Sequence, residues 1–130
     1  MSDSRPSEEL PIARTILIVE DDIDIGEFLV HAVEDEIHSH ALLARDGDEA
    51  LKFIGSVTPA FMLLDYQLPA MNGLELYDRL QSREELKTVP VLFISANPPV
   101  KELERRNLQY IAKPFELDDL LKILKSLLAE

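Results

Sequence analysis

The chain reads as an α/β protein, a doubly wound parallel sheet with helices on both faces. Three observations carry this reading. Five short apolar segments alternate with amphipathic or turn-led segments along the 130 residues, the rhythm of strand–helix units. The first of them, "TILIV", is a continuous apolar run rich in β-branched residues, which suits a strand covered on both faces. The final segment places Leu117, Leu120, Leu121, Leu124, Leu127 and Leu128 at i, i+3, i+4 spacing, the stripe of a helix lying against a core.

Residues 1–14, "MSDSRPSEELPIAR", are polar, charged and proline-containing, and read as a flexible lead-in to one domain over residues 15–130. "TILIV" (Thr15–Val19), rich in β-branched residues, is the first strand. Ile25, Phe28, Leu29, Ala32 and Val33 follow at helical spacing, with Asp22 or Asp24 placed to cap that helix. "SHALLA" (Ser39–Ala44) reads as the second strand, and "DGDEALKFI" (Asp46–Ile54) as a turn opening into a helix. "AFMLLD" (Ala60–Asp65) is the third strand, followed by the loop "YQLPAMNG" and a helix with Leu74, Tyr77 and Leu80 on one face. "VPVLFIS" (Val89–Ser95) is the fourth strand and "YIA" (Tyr110–Ala112) a short fifth. Right-handed crossovers restrict how five such strands can be ordered.

Composition narrows the class. Apolar residues make up 46% of the chain, enough for a core without staples, and cysteine is absent, so disulfides and thiolate chemistry are excluded. No run of 18 apolar residues is present, so no membrane span is expected. The N-terminus lacks the pattern of a secretory signal, and a cytoplasmic location is expected. Twenty-five acids against 13 bases give a net charge of −12. A surface this acidic repels phosphate backbones and argues against nucleic acid as a partner.

In parallel α/β sheets the ligand site lies beyond the carboxyl ends of the strands. Glu20, Asp21, Asp65 and Ser95 all follow strands directly, and Lys113 follows the fifth. If strands one and three are neighbours, the three acids form a set of hard oxygen ligands suited to Mg²⁺. Taken singly, each residue reads as well in an ordinary way. Acidic loops are common in an acidic protein, lysines are usually solvated, and a serine at a strand end is often a turn hydroxyl or a cap. His31, His38 and His40 read as surface or packing residues.

Taken together and in order, the motifs resemble the response-regulator receiver domain, from about Thr15 to the C-terminus. "ILIVEDD" is similar to that family's first strand and acidic pair. "FMLLDYQLPAMNGLEL" resembles its phosphoacceptor strand and the loop after it, "VPVLFISA" its fourth strand, and "YIAKPF" its lysine–proline turn. The spacings fit as well: 44 residues from Asp21 to Asp65 (65 − 21) and 30 from Asp65 to Ser95 (95 − 65). The resemblance implies a flavodoxin-like strand order 2-1-3-4-5. It implies that Asp65 accepts a phosphoryl group, and that Glu20, Asp21, Asp65 and the backbone carbonyl of Gln67 hold Mg²⁺. It assigns Ser95 to a phosphoryl oxygen, Lys113 to the phosphate or Asp65, and Tyr110 to the position of a switch aromatic. Ser95 moving toward the phosphoryl group would open space for Tyr110 to swing inward. Gln67 and Asn97 flank the site as residues that tune hydrolysis, with no direction assigned. A cis bond at Lys113–Pro114 is also implied.

The same resemblance implies a histidine kinase or phosphotransfer protein as donor, a downstream protein target, and an interface compatible with a homodimer. Neither nucleic acid nor membrane is expected as a partner. The chain is expected to phosphorylate and dephosphorylate itself at Asp65 without being an enzyme on an external substrate. No segment after the last helix resembles an output domain, so either a free-standing receiver or a piece of a larger protein is expected.

One stretch departs from the family pattern. Only 18 residues (113 − 95) separate Ser95 from Lys113, so the fourth helix must fit within "NPPVKELERRNLQ". Pro98 and Pro99 limit its start. No glycine precedes the fifth strand, and Asn107 stands where a left-handed residue would end the helix. A shortened fourth helix of two turns at most is predicted. Two other readings remain at this point. One is a receiver-fold scaffold that binds partners without regulated phosphorylation. The other is a Mg²⁺-dependent phosphohydrolase, disfavoured because "DYQ" offers Gln67 where a second acid would stand.

Overall fold

The computed structural model describes residues 14–128. Most of the lead-in expected over residues 1–14 therefore lies outside the described residues. Five strands form one parallel sheet in the order β2-β1-β3-β4-β5. They are β1 (Thr15–Val19), β2 (His40–Ala44), β3 (Phe61–Asp65), β4 (Val91–Ser95) and β5 (Gln109–Ala112). The crossovers carry α1 (Ile23–Ala32), α2 (Gly47–Ile54), α3 (Gly73–Gln81) and α4 (Val100–Arg105), and α5 (Leu117–Leu128) closes the chain.

Strand periodicity splits the core into two layers. Leu17, Val19, Met62, Leu64 and Phe93 face Ala50, Ile54, Leu76, Leu80 and Leu103 of α2 to α4. Ile16, Ile18, Phe61, Leu63, Leu92 and Ile94 face Leu29, Leu120 and Leu124 of α1 and α5. Successive strand residues thus serve opposite faces, and both faces need apolar side chains. This is why the strands read as unbroken apolar runs. β3, central in the sheet, is buried at all five positions, Asp65 included.

The helix ends are specified locally. Asp22 is the cap of α1, accepting hydrogen bonds from the Asp24 and Ile25 backbone N–H groups. Asp46 caps α2 by accepting from the Glu49 N–H at 2.8 Å. Asn72 and Glu75 form a reciprocal capping box at the start of α3. The fourth helix is short, as expected: six residues from Val100 to Arg105, started after Pro98 and Pro99 without a side-chain cap. It stops where Asn107 takes φ 58°. The Leu108 N–H then reaches Leu103 O at 2.8 Å and the Asn107 N–H reaches Glu104 O at 3.1 Å, a Schellman ending.

Three features differ from the sequence reading. A wide helical turn over Val33–Ile37 prolongs α1 and ends with His38 at φ 57°. It keeps Val33 and Ile37 in the same buried layer as Leu29 at successive spacings of four. Phe28, placed by its spacing on the apolar stripe, is 46% exposed. Gly26 takes that place: a Cβ there would sit 2.8 Å from Leu43 Cδ2, so the helix packs tightly along its Gly26–Leu29–Ala32 edge. The fourth strand begins at Val91, two residues later than its apolar run suggested, after a 3₁₀ turn over Glu84–Leu86.

Candidate functional site

The strand register assembles the site. Val19 pairs with Leu64, so Glu20 and Asp65 are the next residues on adjacent strands. Asp65 pairs with Ile94, which puts Ser95 one step beyond it, and Ser95 pairs with Ala112, which puts Lys113 one step beyond that. The Lys113 N–H donates to Ser95 O at 2.8 Å, continuing the ladder into the turn. The Lys113–Pro114 bond is cis.

Lys113 joins the acids. Its Nζ donates to Glu20 Oε1 at 2.8 Å and to Asp65 Oδ2 at 3.0 Å. Glu20 is 1% exposed and Asp65 3%, so both ion pairs are shielded from water on the carboxylate side. The second oxygens are also engaged: Glu20 Oε2 accepts from the Asp22 N–H at 3.1 Å and Asp65 Oδ1 from the Gln67 N–H at 3.0 Å. Asp21 is exposed at the rim, and one carboxylate oxygen from each of Glu20, Asp21 and Asp65 lies within 4.8 Å of the others. The three consecutive acids therefore divide their work: Glu20 turns in, Asp21 lies at the rim, and Asp22 caps α1.

Burial, more than any other cause, pushes the Glu20 carboxyl up to about 7. Hydrogen bonds from Lys113 and the Asp22 backbone oppose the rise, and the charge of Asp65 adds to it. Burial acts against the Lys113 charge, but its hydrogen bonds to Glu20 and Asp65 outweigh this and raise its pKa. Three carboxylates against one ammonium leave a formal excess of two negative charges. The donor set is all oxygen, and the excess equals the charge of a small hard dication. These residues fit Mg²⁺.

Ser95 is fully buried. Its hydroxyl accepts from the Asn97 N–H at 3.2 Å and donates to Gln67 Oε1 at 3.4 Å. Tyr110 is half-buried on β5, and its hydroxyl donates to Glu104 Oε2 on α4 at 3.2 Å. Burial and the nearby Glu104 charge raise its pKa. Tyr110 thus reaches α4 through Glu104 and packs against the core layer that α2 to α4 cover. Gly73, the glycine of the motif "FMLLDYQLPAMNGLEL", is a steric requirement here. A Cβ at Gly73 would lie 2.5 Å from Asp65 O and 2.8 Å from Tyr66 Cα. The loop signal "MNG" contained it, but the close approach of α3 to the end of β3 is a tertiary fact. Beside the acids runs a groove lined by Ile25, Phe28, Ala96, Lys113, Pro114 and Phe115, where the exposed Phe28 ring lies.

The family model for the response regulator receiver domain matches residues 16–125. The chain belongs to this family. The receiver is 35% identical over 117 residues to the response regulator MprA of Mycolicibacterium vanbaalenii, covering 87% of this chain and 49% of that protein. It is 35% identical over 119 residues to the Regulator of RpoS of Escherichia coli K12, covering 89% of this chain and 32% of that protein. The receiver therefore spans half or less of the length of these curated relatives. Among solved structures, the chemotaxis protein CheY4 of Vibrio cholerae superposes with a TM-score of 0.80 at 26% identity, covering 89% of this chain and 99% of CheY4. Receiver domains of two-component response regulators are phosphoacceptor switches. They meet histidine kinases or phosphotransfer proteins and downstream targets. No helix among the described residues is long and apolar enough to cross a membrane.

Proposed function

We propose that Asp65 of this receiver is the phosphoacceptor, in a Mg²⁺-dependent transfer that changes what the protein binds. The observation that carries the reading is the Lys113 ammonium shared between two buried carboxylates, one of them Asp65. Glu20, Asp21, Asp65 and the Gln67 backbone carbonyl would hold the ion. Bound there, Mg²⁺ supplies Lewis-acid neutralisation of charge on the transferring oxygens.

The chain's own residues supply the rest. An Asp65 carboxylate oxygen attacks the phosphorus of a phosphohistidine donor. The new O–P bond forms as the P–N bond breaks, and the imidazole nitrogen leaves with the electron pair and takes up a proton. An aspartate needs no general base for this, which accords with the exposed placement of His31, His38 and His40. Lys113 draws Asp65 out of repulsion with the incoming anion and can follow the charge onto the phosphoryl oxygens. Ser95 is placed one strand away to donate its hydroxyl to a phosphoryl oxygen. Its movement would make room for Tyr110 to leave Glu104, shifting the population of the α4–β5 face.

The donor is a histidine kinase or a phosphotransfer protein. The groove along Phe28 and Phe115 reaches Lys113 and offers such a protein an apolar foothold beside Asp65. The target is a protein recognised through the α4–β5–α5 face, which also suits a homodimer, and no nucleic acid or membrane enters the scheme. One receiver domain over residues 15–130, a cytoplasmic setting, and no turnover on an external substrate complete the reading. Intact mass after incubation with acetyl phosphate and Mg²⁺ tests it. One phosphoryl adduct is expected, lost in Asp65→Asn and in excess EDTA. No adduct in the unaltered protein would return the chain to a scaffold role.

A further inference from the structure

We propose that the Gln67 side chain holds the Ser95 hydroxyl in the unphosphorylated domain and has to release it before Ser95 can engage a phosphoryl group. Gln67 is then a positioning residue that opposes phosphorylation. This rests on the reading of Asp65 as phosphoacceptor.

The Ser95 hydroxyl has one proton and two lone pairs. A lone pair is taken by the Asn97 N–H at 3.2 Å, and the proton points to Gln67 Oε1 at 3.4 Å. Asn97 does not compete with a phosphoryl oxygen, because it leaves the proton free. Gln67 does compete, because one proton serves one acceptor well. Ser95 is fully buried, so a proton without an acceptor is costly there. Gln67 itself is exposed, and its backbone N–H is anchored on Asp65 Oδ1 at 3.0 Å. Its side chain therefore crosses from the loop after β3 to the end of β4 to reach a hydroxyl 28 positions away in sequence. A separation of 3.4 Å is long for an O–H···O bond, so the hold is weak enough to break on each cycle.

Removing the acceptor should raise the free energy of the unphosphorylated state alone. Gln67→Met keeps the length, the backbone N–H and the backbone carbonyl while deleting the side-chain oxygen. Beryllofluoride with Mg²⁺, a phosphoryl stand-in, is titrated by calorimetry into the unaltered protein, Gln67→Met, Ser95→Ala and the double variant. One net hydrogen bond predicts about threefold tighter binding for Gln67→Met when Ser95 is present. In the Ser95→Ala background the same change should have no effect. Urea unfolding of the same four proteins, without metal or beryllofluoride, should show a coupling of about threefold in the unfolding constant between the two positions.

An equal Gln67→Met effect in both backgrounds overturns the proposal, because Gln67 would act on access or water and not through Ser95. Weaker beryllofluoride binding by Gln67→Met overturns it too, since the amide would then be helping to hold the phosphoryl group. Beryllofluoride binding without any unfolding coupling sinks the latch but leaves the phosphoacceptor reading standing. Coupling without beryllofluoride binding by the unaltered protein sinks both.

Discussion

Replacing Glu20 with glutamine should change how stability depends on pH, and the size of the change follows from its burial. The Glu20 carboxyl is 1% exposed, and burial is the largest cause of its rise from 4.5 to about 7. An acid with a higher pKa when folded binds its proton more tightly in the native state. Between pH 4.5 and 7 the folded protein therefore holds more protons at this site than the unfolded chain. Stability from this group is complete below 4.5 and is lost as pH rises through about 7. At about 1.4 kcal/mol per unit, the loss is on the order of 3 kcal/mol. Glu20→Gln removes the titration. Urea unfolding in EDTA from pH 4 to 8 should show the variant gaining about that much on the unaltered protein. Mg²⁺ favours the ionised carboxylate and should shrink the gain. A difference curve that stays flat in EDTA would refute the claim that Glu20 carries a buried, poorly compensated charge.

Three further outcomes follow from the geometry. Millimolar Mg²⁺ should raise the melting temperature and shift the amide resonances of Asp21 and Asp65, and Asp21→Asn should weaken both effects; an unchanged melting curve and spectrum would contradict the ligand set. Gly73→Ala should destabilise the domain by about 1–3 kcal/mol in urea, because the new methyl group meets the Asp65 carbonyl and α3 has to move. Asn107→Ala should cost about 1 kcal/mol and increase hydrogen exchange in α4, whereas Asn107→Gly should not, because φ 58° suits glycine.

Much of the fold was legible because its central strands are buried on both faces, so "ILIV", "FMLL" and "VLFI" are unbroken apolar runs. The site was legible for a related reason. Polar residues that stop such runs at the carboxyl ends stand at one edge of the sheet, and the register then sets Glu20, Asp65, Ser95 and Lys113 on successive steps. The short α4 could be read from Pro98, Pro99 and Asn107, whose backbone preferences are local. What could not be read depends on contacts between distant segments. Phe28 has helical spacing, but Gly26 against Leu43 decides which edge of α1 faces the sheet. The wide turn at Val33–Ile37 follows from keeping both residues in the core, and no local signal marks it. Gln67 was recognised as a neighbour of the site, but its bond to Ser95 crosses from the loop after β3 to the end of β4.

Reductive trapping of the acyl phosphate with borohydride, followed by peptide fragmentation, tests the central claim most directly. After treatment with acetyl phosphate and Mg²⁺, the reduced residue should map to Asp65, and Lys113→Ala should lower its yield. A reduced residue at any other carboxylate, or an equal yield at Asp65 without Lys113, would contradict the account.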